Sequence, residues 1–166
     1  MNSYRNTLLL TALVGSLVLM PFSARAVEPP HEESHAHDVA GIAQLQFDDD
    51  RKWPTDASLR SGMASIRSAF EADHAAIHAG RETPAQFETL AGSIEAQVQM
   101  IIQQCKLPPA ADANLHFVIA DLMRGVSQMR GQDPAITRHD GAALVHGALE
   151  AYGKYFDDPQ WSQGAP

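Results

Sequence analysis

The chain has 166 residues, with 12 Lys and Arg against 20 Asp and Glu and a single cysteine. That length suits one domain. The formal charge of −8 disfavours nucleic acid and anionic lipid as partners, so cations, small molecules and basic proteins are the partners we expect. One cysteine cannot form an internal disulfide, and covalent attachment of a c-type haem, which needs two cysteines, is excluded.

Residues 1–26 have the pattern of a cleaved export signal. Arg5 precedes an apolar run over residues 8–22, and a small-x-small cleavage pattern ends at Ala26. The run is short for a membrane span, although an uncleaved anchor is the alternative. We therefore expect a periplasmic protein that begins at Val27 and has no membrane attachment after cleavage. Cleavage removes two arginines and no acid, which changes the charge from −8 to −10.

Residues 27–52 are expected to form a flexible N-terminal arm. Adjacent prolines disfavour helix near its start. The tract HEESHAHD follows, with His31, His35 and His37. Short histidine-rich tracts bind divalent metals, and a solvated arm without metal is the alternative. A short apolar alternation over residues 41–47 is compatible with packing along the domain.

The first two amphipathic segments have clear boundaries. The first is capped by Thr55 or Asp56 and ends at Gly80, which supplies a left-handed residue. The second begins with a capping box at residues 83–86 and ends before Pro108. Apolar residues recur at helical spacing in both segments. The two stripes are Leu59, Met63, Ile66, Phe70 and Ile77, then Phe87, Leu90, Ile94, Val98, Ile101 and Cys105.

The third segment is predicted to be helical over residues 109–129, with Gly131 as its C-terminal cap. The fourth is predicted to begin at Asp133-Pro134 and to stop at Asp158. Their stripes are Leu115, Ile119, Leu122, Val126 and Met129, then Val145, Leu149, Tyr152 and Phe156. Four helices joined by short loops predict an all-α fold, an antiparallel up-down-up-down four-helix bundle over residues 53–161 with a tail at residues 162–166.

Three soft or borderline metal ligands are expected at the end of the bundle where the second helix meets the third. A rise of ~1.5 Å per residue gives Met63 and His116 similar heights and puts Cys105 about one turn up the second helix. Thioether, thiolate and imidazole suit Cu(I). Asp112, one turn before His116, is placed to orient its second ring nitrogen. This predicts a copper site, and plain core packing of Met63 and Cys105 is the alternative.

The opposite end of the bundle carries a second candidate metal site. His74 and His78 are an i, i+4 pair, and His139 of the fourth segment reaches a similar height with Asp140 beside it. Three imidazoles and a carboxylate suit Zn(II) or Cu(II). The alternative is that His78 only interacts with the helix dipole.

Enzymatic activity is not expected. The chain has no glycine-rich phosphate loop, no Gly-x-Ser-x-Gly elbow and no second Glu-x-x-His copy for a di-iron site. The helix pattern of residues 55–156 resembles, in architecture alone, the periplasmic b-type cytochrome and cytochrome c′ bundles. In the b-type family a first-helix methionine and a last-helix histidine bind haem. Met63 matches that methionine in placement, whereas His146 lies about two turns too far from the end.

These patterns predict a periplasmic binding protein for copper or another transition metal, acting in homeostasis or delivery. One alternative is a cofactor-free interaction or structural module of the envelope. The other, implied by the resemblance, is a non-covalent haem b electron carrier. The expected partner is a metal ion or small molecule, and a basic protein also fits the acidic chain; the oligomeric state is not indicated.

Overall fold

The structure, a computed structural model, describes residues 41–161. The predicted export signal, the arm histidines His31, His35 and His37, and the tail at residues 162–166 lie outside the described residues. The described part is mostly helical, which confirms the all-α prediction. Its helices are α1 (Ala57–His78), α2 (Pro84–Gln104), α3 (Pro109–Met129) and α4 (Arg138–Tyr155). None of these helices is both long and apolar enough to cross a membrane.

Local capping signals set the ends of α1 and α2 as predicted. Asp56 is the N-cap of α1, and its side chain accepts from the backbone N–H of Leu59 at 2.7 Å. Gly80 follows α1 with φ of 62°. Thr83 and Gln86 form the predicted capping box of α2, in which each side chain accepts from the backbone N–H of the other residue.

The start of α4 differs from the prediction. The helix begins at Arg138, not at Pro134, because Thr137 and Asp140 form a capping box with both hydrogen bonds at 3.1 Å. Asp133 instead accepts from the N–H of Ala135 at 2.8 Å, in a turn before the helix. The polar run Thr137 to Asp140 therefore starts the helix.

The apolar stripes form one core. Contacts run between α1 and α2, α2 and α3, α3 and α4, and α1 and α4, and the last pair is the least closely packed of the four. Most of the stripe residues are buried, as predicted. Ile119 is an exception, since it is half-buried while Val118 beside it is fully buried.

A two-stranded parallel sheet joins the start of α1 to the end of α4. Strand β1 (Trp53–Pro54) pairs with β2 (Phe156–Asp157), and the hydroxyl of Thr55 donates to the backbone oxygen of Asp157 at 2.6 Å. Phe156 was expected in the last helix, but it lies in β2 and is fully buried.

Residues 41–45, assigned to the arm by sequence, lie against the helices. A short 3-10 helix at Gly41–Gln44 contacts α3 and α4. The carboxylate of Asp121, only 1% exposed, accepts from the N–H groups of Gly41 and Ile42 at 2.8 and 2.9 Å. Leu45 joins the core. Asp121 therefore fixes the start of this segment on α3.

Candidate metal centre

The cysteine end of the molecule is the junction of α2, α3 and the start of α1. Cys105 is the half-buried C-cap of α2. Burial acts to raise the pKa of Asp56, but hydrogen bonds from the N–H groups of Leu59 and Lys106 bring it below its usual value. Burial, followed by the charge of Asp56, raises the pKa of Cys105 to about 11. The geometry therefore favours a neutral thiol that donates to Asp56, whereas a copper ligand has to be a thiolate.

The other two predicted copper ligands lie in different environments. Met63 is fully buried in the core, while the His116 side chain is 67% exposed. His116 Nδ1 lies 2.8 Å from the backbone oxygen of Asp112 and 3.6 Å from its carboxylate, so the predicted orienting residue is adjacent. Among residues 41–161, no three His, Cys, Asp or Glu side chains are placed to hold a metal ion, at this end or elsewhere. The copper site at this end stays a prediction.

Four of the five described histidines meet on the seam between α1 and α4. His74 and His78 of α1 and His139 and His146 of α4 line one groove of about 200 Å³. All four residues are exposed. Behind them the groove is lined by the apolar residues Phe70, Ile77, Ala142 and Ala143. Three of these histidines belong to the predicted second metal site; His146 is the addition that the structure makes.

Three of the four imidazole rings, those of His74, His78 and His146, are close neighbours along this seam. The ring centroids of His74 and His78 are 5.7 Å apart, and those of His74 and His146 are 5.9 Å apart. His146 stacks on Phe70 at 5.7 Å, and Phe70 is itself buried. Exposed side chains change rotamer on the ps–ns timescale, so these rings are not held in a single orientation.

Helical spacing explains why these residues share a face. His74 and His78 are four residues apart, and His139 and His146 are seven apart, so each pair lies on one side of its helix. The loose packing of α1 against α4 leaves that side open. The i, i+7 spacing of the second pair was the signal by which sequence analysis could have added His146.

Asp140, the carboxylate of the predicted second site, has a structural role instead. The hydroxyl and the N–H of Thr137 donate to it and hold its pKa below its usual range. A carboxylate that caps α4 is less available to a metal ion.

The resemblance to haem-binding bundles draws attention to a different pair of residues, Met63 and His146. His146 stacks on Phe70, which lies seven residues beyond Met63 and hence about 10 Å farther along α1. This is the displacement expected from the sequence. Met63 and His146 therefore do not face each other across the seam.

A second groove of about 270 Å³ continues along the seam and shares Phe70, His74 and His146 with the first. Trp161 forms its far wall and packs edge-on against Tyr152 at 4.7 Å. The guanidinium of Arg67 lies 4.9 Å from the Trp161 ring centre. The remaining lining residues of this second groove are Glu71, Leu149 and Glu150.

The chain matches no protein family model, and comparison with curated proteins and with solved structures finds no significant similarity. Function is therefore inferred from the side chains that the chain itself brings together. Among the described residues, the four seam histidines are the group whose chemistry points most directly to a ligand.

Proposed function

We propose that this is a periplasmic helical-bundle protein that binds a transition metal, copper or another, in homeostasis or delivery, and that the α1–α4 seam holds the ion. The observation that carries the proposal is the meeting of four exposed histidines around one groove. Imidazole nitrogens are ligands for Cu, Zn and Ni. An ion at an exposed site keeps positions open for water or an incoming ligand, which suits uptake and transfer.

The antiparallel up-down-up-down arrangement is part of this proposal. Pairing of β1 with β2 supports it, since it brings the start of α1 to the end of α4. Asp56 at the start of α1 also accepts from Lys106 just after α2. In this arrangement the C-terminal half of α1 lies beside the N-terminal half of α4, which is how one seam comes to hold all four histidines.

Export is also part of the proposal. It requires cleavage after Ala26, and mass spectrometry of periplasmic protein is expected to find Val27 as the first residue. The arm histidines His31, His35 and His37 are expected to add a weaker site. Removal of residues 27–40 should abolish that site and leave the seam site intact.

The experiment is a metal titration of the purified mature chain with Cu(II), Zn(II) and Ni(II). We expect one equivalent to bind at the seam. His74→Ala and His146→Ala should each weaken that affinity by ~10–100-fold or more, since losing even an outer-shell partner of a metal ligand has effects of this size. His116→Ala is the matched control, because His116 is an exposed histidine away from the seam. It should bind as the wild type does.

A parallel competition titration with Cu(I) tests the predicted copper site at the other end. It compares the wild type and the two seam variants with Cys105→Ala and His116→Ala. If these two lose affinity while the seam variants do not, the ion belongs to Met63, Cys105 and His116, and the seam assignment is wrong. If no variant or wild type binds metal, a cofactor-free interaction module replaces the metal proposal. A Soret band in the purified protein would instead support the haem carrier.

A further inference from the structure

The second groove of the seam combines an apolar floor with an acidic rim. Phe70 and Leu149 are buried beneath it, and Trp161 is its far wall. Glu71 of α1 and Glu150 of α4 stand on its two sides. An aromatic wall with carboxylates nearby is the environment in which cationic side chains bind through ring stacking and charge pairing.

Arg67 shows how this groove holds a cation. Its guanidinium lies over the Trp161 ring at 4.9 Å, and its Nε is 2.6 Å from the Glu71 carboxylate. Glu150, on the opposite side, is exposed, and its carboxylate forms no ion pair or hydrogen bond with another described residue. One carboxylate of the groove is thus neutralised within the chain and the other is open to an external cation.

The size of the groove and the charge of the protein indicate the kind of occupant. A volume of about 270 Å³ is below the roughly 300–1,000 Å³ of pockets that enclose a drug-sized ligand. An open groove of this size fits a few side chains of another protein. Residues 41–161 have 10 Lys and Arg against 16 Asp and Glu, a charge of −6, which attracts a basic surface.

We propose that this groove docks a basic segment of a partner protein, with an arginine or lysine beside Glu150 and an apolar residue on the floor formed by Phe70 and Leu149. Binding of the basic segment and binding of the metal ion then weaken each other. His74 and His146 line both grooves, so an ion held by them adds positive charge next to the docked cation. By linkage, docking weakens metal binding by the same factor as metal weakens docking. This second step rests on the proposed metal-binding function, and the docking itself does not.

The test is an NMR titration of the metal-free mature chain with a blocked hexapeptide of alternating arginine and leucine. The two tryptophans provide separate indole N–H signals. Trp161 forms a wall of the groove, and Trp53 donates its indole N–H to Gln46 at 2.7 Å and does not line it. We expect the Trp161 signal to move and the Trp53 signal to stay. The same peptide with citrulline in place of arginine removes the charge and should bind more weakly.

A pair of matched variants separates docking from general charge attraction. Glu150→Gln removes the open carboxylate and should raise the peptide dissociation constant roughly two- to five-fold, the effect of one exposed ion pair. Asp49→Asn removes one exposed carboxylate from a turn outside the groove, and asparagine tolerates its φ of 46°. It should bind as the wild type does. Equal losses in both variants, or no movement of the Trp161 signal, would overturn the docking proposal.

The metal arm repeats the titration with one equivalent of Zn(II). At low ionic strength we expect zinc to raise the peptide dissociation constant by about three-fold or more. This effect of zinc on the dissociation constant should shrink when salt is added. If zinc binds the seam and the peptide dissociation constant does not change, the inference that metal and peptide weaken each other's binding is wrong. If none of Zn(II), Cu(II) and Ni(II) binds, the metal proposal fails, while the metal-free titration still decides the docking.

Discussion

The cysteine end and the histidine seam use polar side chains in opposite ways. At the cysteine end, Asp56 accepts from two backbone N–H groups and faces the thiol of Cys105, so the polar groups of the junction satisfy each other. On the seam, four exposed histidines line a common groove, and the ring of His74 lies close to the rings of His78, His146 and Phe70. The first arrangement joins helices, whereas the second is open to a ligand. Both the cysteine end and the seam carry residue types that bind metals. What distinguishes the two regions is the set of groups that each side chain contacts.

The largest effect on stability that tests this comparison is expected at Asp56. Asp56→Ala removes the cap of α1 and leaves the N–H of Lys106 without its partner, which should lower the unfolding free energy by about 1–3 kcal/mol. Asp56→Asn keeps a capping oxygen and should lose less. Urea unfolding measures both. Metal affinity at the seam should not change in either variant, and a loss there would show that the two ends are coupled.

The pH dependence of Asp56 follows from its lowered pKa. Because the folded-state pKa lies below the ordinary value of 3.8, the carboxylate adds stability above that pH, and the contribution is lost as the pH falls through the folded-state value. The stability difference between wild type and Asp56→Ala should therefore narrow below about pH 4. A difference that stays constant down to pH 2 would contradict the role of the charge.

The next prediction concerns the chemical reactivity of the Cys105 thiol, which is a more specific readout than the unfolding free energy. With its pKa raised from 9.0 to about 11, the thiol should supply roughly 100-fold less thiolate at pH 8 than a free cysteine. Alkylation by iodoacetamide should accordingly be slow in the folded protein and fast in urea. Rapid alkylation of the native chain would mean that the thiolate is stabilised, and it would favour the copper site at this end.

The smallest effect is expected at the seam histidines in the absence of metal. His74 is exposed and its imidazole has no hydrogen bond to another described residue, so His74→Ala should change the unfolding free energy by less than about 0.5 kcal/mol. With metal present, the wild type should gain stability by mass action and the variant should gain less. A large loss without metal would mean that the histidines stabilise the fold and are not kept for a ligand.

Much of the fold was predictable because its signals are local. The capping box at Thr83 and Gln86 lies within four residues of sequence, and so does the turn of Gly80. The start of α4 was missed because two local signals competed. Asp133-Pro134 and Thr137 to Asp140 both have cap chemistry, and the later one has both reciprocal hydrogen bonds.

The candidate site was only partly predictable because it depends on how helices rotate and align. The pairing of His74 with His78 follows from helical spacing alone, but the contact of His74 with His146 spans 72 residues. The same limit applies to Cys105, whose pKa depends on Asp56, a residue 49 positions earlier. The sequence shows which residues are able to bind a metal and which of them share a helix face. Only the contacts between helices determine which of these residues line the same groove.

The pairing of β1 with β2 has a consequence for how the chain can be cut and rejoined. Trp53–Pro54 lies beside Phe156–Asp157, so the two ends of the helical segment are neighbours although about a hundred residues separate them. Domains with adjacent ends tolerate circular permutation. A linker joining those ends, with new termini opened at the turn around Gly80, would keep all four helices and the capping box of α2 intact. The order in which the helices are made would then change while the neighbours of each helix stayed the same.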